Sequence, residues 1–171
     1  MASVRPCPVP AQSLLARYSR DGAFTDCYCA QVDRAVSHAE YVEAFYTGTV
    51  FKVERRLLAW FASKPSTDLQ ARDLAQGTSD AFSAWTVEGR ADDQILMCDV
   101  AGRTRSWLMV APAPSGGRPC TQLYFGSAVV PSRRGTSGEP KMGALFRLLL
   151  GFHTVYSRVL LDAARSRLAR R

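Results

Sequence analysis

The sequence predicts an α+β domain in which a curved antiparallel sheet packs around a long C-terminal helix, with two or three short helices after the first strand. Three observations carry that expectation. Residues 143–168, GALFRLLLGFHTVYSRVLLDAARSRL, read as one continuous amphipathic helix. Between Ala81 and Val130, four strand-like runs follow one another with only short turn signals between them, which implies antiparallel hairpins. A capping-box pattern at Ser37 and a helix stop at Gly77 stand between these runs and an earlier strand.

Taken in order, residues 1–10 carry three prolines and read as an extended, mobile tail. Ser13 to Tyr18 suits a short helix, ended by the turn signal Asp21-Gly22. From Ala23 to Val32, Phe24, Asp26, Tyr28 and Ala30 alternate with Thr25, Cys27, Cys29 and Gln31, the period of a strand. Ser37-His-Ala-Glu40 is a capping-box pattern, so a helix is expected to about Tyr46. A second helix is read from Thr49 to Ala62, with Val50, Val53, Leu57, Trp60 and Phe61 on one half. Glu54 falls inside that apolar half. After Lys64-Pro65-Ser66, a third helix spans Thr67 to Ala75 and closes at Gly77. The four later strands are expected at 81–87, 94–100, 103–111 and 121–130, with Gly89, Ala101-Gly102 and the segment 112–119 between them.

The final helix would measure on the order of 40 Å at ~1.5 Å per residue. At ~100° per residue, Leu145, Leu149, Phe152, Tyr156, Val159 and Ala163 line up, opposite Arg147, Thr154, Arg158, Asp162 and Arg165. Phe146, Leu150, Leu161 and Ala164 widen the apolar sector beyond what a surface helix usually buries. Such a helix needs partners on more than one side.

A chain of 171 residues fits a single domain, placed at 23–168, with 1–22 as an extended or partly helical tail and 169–171 as a basic end. The net charge is +7, and five arginines at 158, 165, 167, 170 and 171 against Asp162 supply +4 of it. The excess is thus local to the tail, where cations complement a helix C-terminus, and a nucleic-acid partner is not expected. Five cysteines form an odd set without a CxxC spacing; reduced thiols in a cytoplasmic protein are the default reading. No secretory leader and no membrane span are read in the sequence. With only His38 and His153 present, no metal site is expected. The motifs of serine hydrolases, P-loop and dinucleotide-binding proteins and zinc proteases are missing, and no cofactor is expected.

Three stretches, QILMCDVAGRTRSWLMV, TQLYFGSAVVP and LLGFHTVYSRVLL, together with this order of elements, resemble an uncharacterised group of bacterial proteins. More distantly, the chain is similar to the helix-grip superfamily (SRPBCC), which includes START lipid-transfer domains, polyketide cyclases and plant allergen-type carriers. The likeness spans roughly Cys27 to Ala164 and is topological. It implies a helix-grip-like domain that holds an apolar small molecule between sheet and terminal helix. Five strands are counted where a full grip has six or seven, which points to a short strand near Arg90 or the N-terminus.

Few residues stand out as carriers of chemistry. A carboxylate in an apolar setting must be paired or have its pKa raised, so Glu54 reads either as a general acid/base or as the partner of an arginine such as Arg105. Arg105 and Trp107 share one strand face, and the alternation leaves open whether it points inward. His153 flanks the apolar stripe of the final helix and reads as a hydrogen-bonded core residue or as a weak catalytic candidate. Trp85, Trp107, Tyr124, Phe152 and Tyr156 are expected as walls of a ligand pocket, and Glu54, Arg105 and His153 as its polar contacts. The first expectation is therefore a binder of an apolar or amphipathic small molecule. The alternatives are a cofactor-free cyclase or isomerase on a polyketide-like substrate, and a homodimeric interaction module that buries the broad helix stripe.

Overall fold

Alternating apolar side chains build the sheet, and it is covered on both faces. The computed structural model describes residues 3–48, 51, 66–114, 116–130 and 144–170, and for 144–154 the backbone alone. Seven strands are present: β1 (Arg5–Pro6), β2 (Phe24–Val32), β3 (Ala81–Phe82), β4 (Trp85–Ala91), β5 (Gln94–Asp99), β6 (Thr104–Pro112) and β7 (Thr121–Val129). They form one sheet in the order β1-β2-β7-β6-β5-β4-β3, with every pairing antiparallel. The described helices are α1 (Ala16–Arg20), α2 (His38–Tyr46), α3 (Asp68–Gln76) and α4 (Ala144–Leu168). The protein is thus α+β, with an antiparallel sheet and a long C-terminal helix. The helix expected at 49–62 lies outside the described residues apart from Phe51.

Local signals account for the helix ends. In α2 the Ser37 hydroxyl accepts from the Glu40 amide, and the Glu40 carboxylate accepts from the Ser37 amide at 2.9 Å, a complete capping box. That amide also lowers the carboxyl pKa of Glu40. Thr67 and Gln70 repeat the arrangement on α3, which ends at Gly77 in the left-handed conformation, φ 76°.

Three departures from the sequence reading concern the sheet. The run expected as one strand at 81–87 is a tight hairpin that turns at Ser83, the one described non-glycine residue with positive φ (55°). Gly89 does not separate strands. It sits inside β4, beside a bulge at which the register shifts between Val87 and Gly89, and the connection to β5 is made at Asp92-Asp93. The N-terminal segment read as a mobile tail is docked: Arg5 and Pro6 pair with Cys29 and Tyr28, and the Cys7 amide donates to the Cys27 carbonyl at 3.0 Å.

Two cores follow from the pleat. On one face Tyr28, Ala30, Val32, Met97, Leu108, Leu123 and Phe125 meet Tyr41 and Phe45 of α2, Leu74 of α3 and Leu160, Leu161, Ala164 and Leu168 of α4. On the other, Cys27, Leu96, Trp107, Met109 and Ala128 are covered by Leu15, Cys7, Val9, Leu14 and Tyr18 from the N-terminal segment. α4 buries one side of the wide apolar sector read in the sequence, the side of Leu161 and Ala164, and not its central line. Ser157, Leu160, Leu161, Ala164 and Leu168 are buried, whereas Val155 and Val159 are 62% and 45% exposed. The buried line is rotated by roughly a third of a turn from the expected one, at ~100° per residue. The three leucines and Ala164 bury a compact surface against α2, β2 and β7, and this outweighs the pull of the two valines.

Gly126 is where the two layers constrain the backbone most. A Cβ there would lie 2.7 Å from Leu15 Cδ2 and 2.9 Å from the Asp26 carbonyl oxygen. The carbonyl belongs to the paired strand β2 and cannot swing away. Gly126→Ala should therefore lower stability by about 1–3 kcal/mol in equilibrium urea unfolding, the usual cost of overpacking. An unchanged midpoint would show that the N-terminal layer yields freely.

Candidate cavity between the sheet and the C-terminal helix

The pleat and the helix packing leave a cavity of about 150 Å³ on the helix-covered face. Its walls come from five places: Phe45 and Tyr46 at the end of α2, Phe51, Trp85 of β4, Thr104 to Ser106 of β6 with Phe125 and Ser127 of β7, and Tyr156, Ser157 and Leu160 of α4. Each wall has a local cause. Phe45 and Tyr46 are the last residues of α2 and pack edge to face with ring centroids 5.2 Å apart. Phe45 also lies 5.0 Å from Phe125, and Tyr46 4.9 Å from Phe51. Trp85 reaches the cavity because the turn at Ser83 starts β4 there. α2 is anchored to the sheet by Tyr41, whose hydroxyl donates to the Tyr124 carbonyl at 3.0 Å; complete burial raises the phenol pKa well above its ordinary value.

Several lining residues carry hydroxyls. Ser127 donates to Asp26 Oδ1 at 2.6 Å, and the Ser127 amide donates to the same oxygen at 3.1 Å, so a carboxylate is held just behind the wall. Ser157 is fully buried, and its Oγ finds no hydrogen-bond partner among the described residues. Leaving a buried hydroxyl unpaired costs about 1–3 kcal/mol. A guest with one donor or acceptor would remove that cost.

The structure divides the residues singled out in the sequence. Trp85 and Tyr156 line the cavity. Trp107 and Tyr124 do not: they belong to the opposite face, with ring centroids 6.2 Å apart, Trp107 wholly buried beneath Leu15 and its Nε1–H donating to Gln94 at 3.0 Å. Arg105 borders the cavity by its place on β6, but its guanidinium is engaged on that other face. Its Nε lies 2.6 Å from Glu88 Oε2 and donates to the Tyr18 hydroxyl at 2.8 Å, and its Nη1 donates to the Gly102 carbonyl. Glu88, the extra residue of the β4 bulge, also takes Arg17 and the Tyr18 hydroxyl, and both guanidinium carbons stand 5.0 Å from the Tyr18 ring centroid. The face that the alternation left open is thus the outer one for the Arg105 guanidinium, and its carboxylate partner there is Glu88 rather than Glu54. Glu54 and the side chains of Phe152 and His153 lie outside the described residues.

Among the wall residues, Phe45, Tyr46, Phe51, Phe125 and Ser157 were not singled out from the sequence. The meeting of α2, β7 and α4 beside Phe51 brings them together. Among the described residues there is no group of three or more His, Cys, Asp or Glu side chains placed to hold a metal ion, and no helix long and apolar enough to cross a membrane. Compared with protein-family models and with curated proteins, the chain matches none of them.

Proposed function

We propose that this protein binds a small, largely apolar molecule carrying one hydrogen-bonding group, in the cavity between the sheet and α4, as its resemblance to helix-grip carriers implies. The observation that carries the reading is the combination of aromatic walls with the orphan hydroxyl of Ser157. A seven-stranded antiparallel sheet with a long terminal helix packed on β2 and β7, and β1 at the N-terminus, supports that reading. A volume of about 150 Å³ is below the ~300 Å³ at which drug-sized pockets begin and near that of an apolar cavity that accepts benzene. The guest is therefore a single ring or a short chain.

Phenol and benzene are the probes that test it. Phenol should raise the thermal midpoint more than benzene at equal concentration, because it fills the same volume and satisfies Ser157. Ser157→Ala should weaken phenol binding about fivefold to tenfold, equivalent to ~1–1.4 kcal/mol, and leave benzene unchanged. The same variant without a guest should be more stable by up to ~1 kcal/mol, since it removes an unpaired buried hydroxyl and improves helix propensity. Absence of binding by either probe at millimolar concentration would overturn the reading.

A second reading, self-association through α4, has one observation in its favour. Val155 and Val159 sit one turn apart on the exposed side of the helix. Light scattering that finds only monomer at high concentration would remove it.

A further inference from the structure

Outside the cavity, three thiols converge where the N-terminal segment crosses the sheet. Cys27 and Cys29 are two residues apart on β2 and point to the outer layer, as the strand period requires. The register that pairs Arg5 with Cys29 and Pro6 with Tyr28 continues to place Cys7 opposite Cys27, and the Cys7 amide donates to the Cys27 carbonyl. Their sulfur atoms are 3.4 Å apart. Directly opposed residues of a hydrogen-bonded antiparallel pair have Cα atoms about 5.5 Å apart, inside the roughly 4.4–6.8 Å that a disulfide spans. Cys29 lies opposite Arg5 and reaches Cys7 only on the diagonal. Cys27 and Cys29 are 5% and 2% exposed, whereas Cys7 is only half-buried.

We propose that Cys7 and Cys27 form a reversible disulfide that staples the N-terminal segment across the outer layer of the sheet. The oxidant fitting the exposure pattern is a low-molecular-weight disulfide of the glutathione class. The Cys7 thiolate attacks one sulfur of that disulfide, forming a mixed disulfide and releasing one small thiolate. The Cys27 thiolate then attacks the Cys7 sulfur, forming the intramolecular bond and releasing the second. Two protein thiols lose two protons and two electrons, and one small disulfide becomes two thiols. Cys7 makes the first attack because it is the more exposed of the pair. Sharing its proton with Cys27 holds the Cys7 thiol well above the ordinary range, so exchange is slow at neutral pH and accelerates with alkalinity. The consequence is structural. β1 has two residues and few ladder bonds, and a covalent link beside it converts a weakly held edge strand into a fixed one.

The test uses the full chain with oxidised glutathione, followed by alkylation and peptide mass mapping without reductant. A Cys7–Cys27 peptide two mass units below the sum of its parts should form in monomeric protein, faster at pH 9 than at pH 7, and disappear with dithiothreitol. It should persist in Cys29→Ser and Cys98→Ser and be lost in Cys7→Ser. The oxidised protein should unfold several degrees higher than the reduced form and show slower amide exchange at residues 3–9. A Cys7–Cys29 or intermolecular link, arrest at the mixed disulfide, or an unchanged unfolding midpoint after the bond has formed would each overturn the proposal.

Discussion

Trp107→Ala will unfold at a much lower urea concentration than the parent protein, with a loss of about 3–5 kcal/mol. The side chain is wholly buried between Leu15, Leu96 and Met109, and its removal opens a void that the paired strands β5, β6 and β7 cannot close. It also ends the hydrogen bond to Gln94 Oε1, which accepts as well from the Leu14 amide at 2.8 Å. That glutamine oxygen is the joint between the N-terminal layer and the sheet. Trp107→Phe keeps most of the volume and should cost less, about 1–2 kcal/mol, chiefly the lost donor. The folded fraction of Trp107→Ala should bind phenol with unchanged affinity, because the indole faces away from the cavity. Trp85→Ala should show the reverse, with weakened binding and a smaller loss of stability, since that side chain lines the cavity and is only partly buried. A Trp107→Ala loss below ~1 kcal/mol would mean that the outer layer is not a true core.

That contrast between two tryptophans also marks how far the sequence could be read. The capping box at Ser37 rests on a spacing of three residues within one segment and stands in the structure as read, and the helix read from Thr67 to its stop at Gly77 is present too, with a capping box of its own. The strands read at 94–100, 103–111 and 121–130 are legible because turn residues bound them, whereas the run 81–87 hides the turn at Ser83. Which face of β6 looks at the helices is not legible, because alternation identifies a face only when one side is polar. Here Trp107 and Met109 are buried on one side and Leu108 on the other, beneath different layers. β1 escapes for a different reason: two residues carry no period, and its position depends on register with β2. The rotation of α4 was hidden by Val159, which stands on the line read in the sequence and is apolar but exposed. The cavity walls were only partly legible. Trp85 and Tyr156 stand out as aromatics on regular elements, whereas Ser157 becomes informative only once it is known to be buried without a partner.

Acid should destabilise the protein through one histidine. His38 is the first residue of α2 and 8% exposed, and its pKa is lowered from 6.5 to about 4, first by burial and then by the charge of Arg90. A contact with the Leu108 carbonyl and the more distant Asp93 pull the other way and are outweighed. The native state therefore keeps this imidazole neutral in a range where the unfolded chain protonates it. The unfolded state binds the extra proton, so stability rises with pH across the window from about 4 to 6.5 and is lost as pH falls through it. At about pH 4.5 the loss relative to pH 7 amounts to roughly 2.5 kcal/mol from this group alone. The positive end of the α2 dipole acts in the same direction, since a cation at a helix N-terminus is unfavourable. Urea unfolding of the parent and of His38→Gln at the two pH values isolates the effect: the variant should lose about 2.5 kcal/mol less on acidification, whatever its stability at pH 7. Equal losses would show that His38 accepts its proton in the folded protein, which would require the Leu108 carbonyl and Asp93 to outweigh burial.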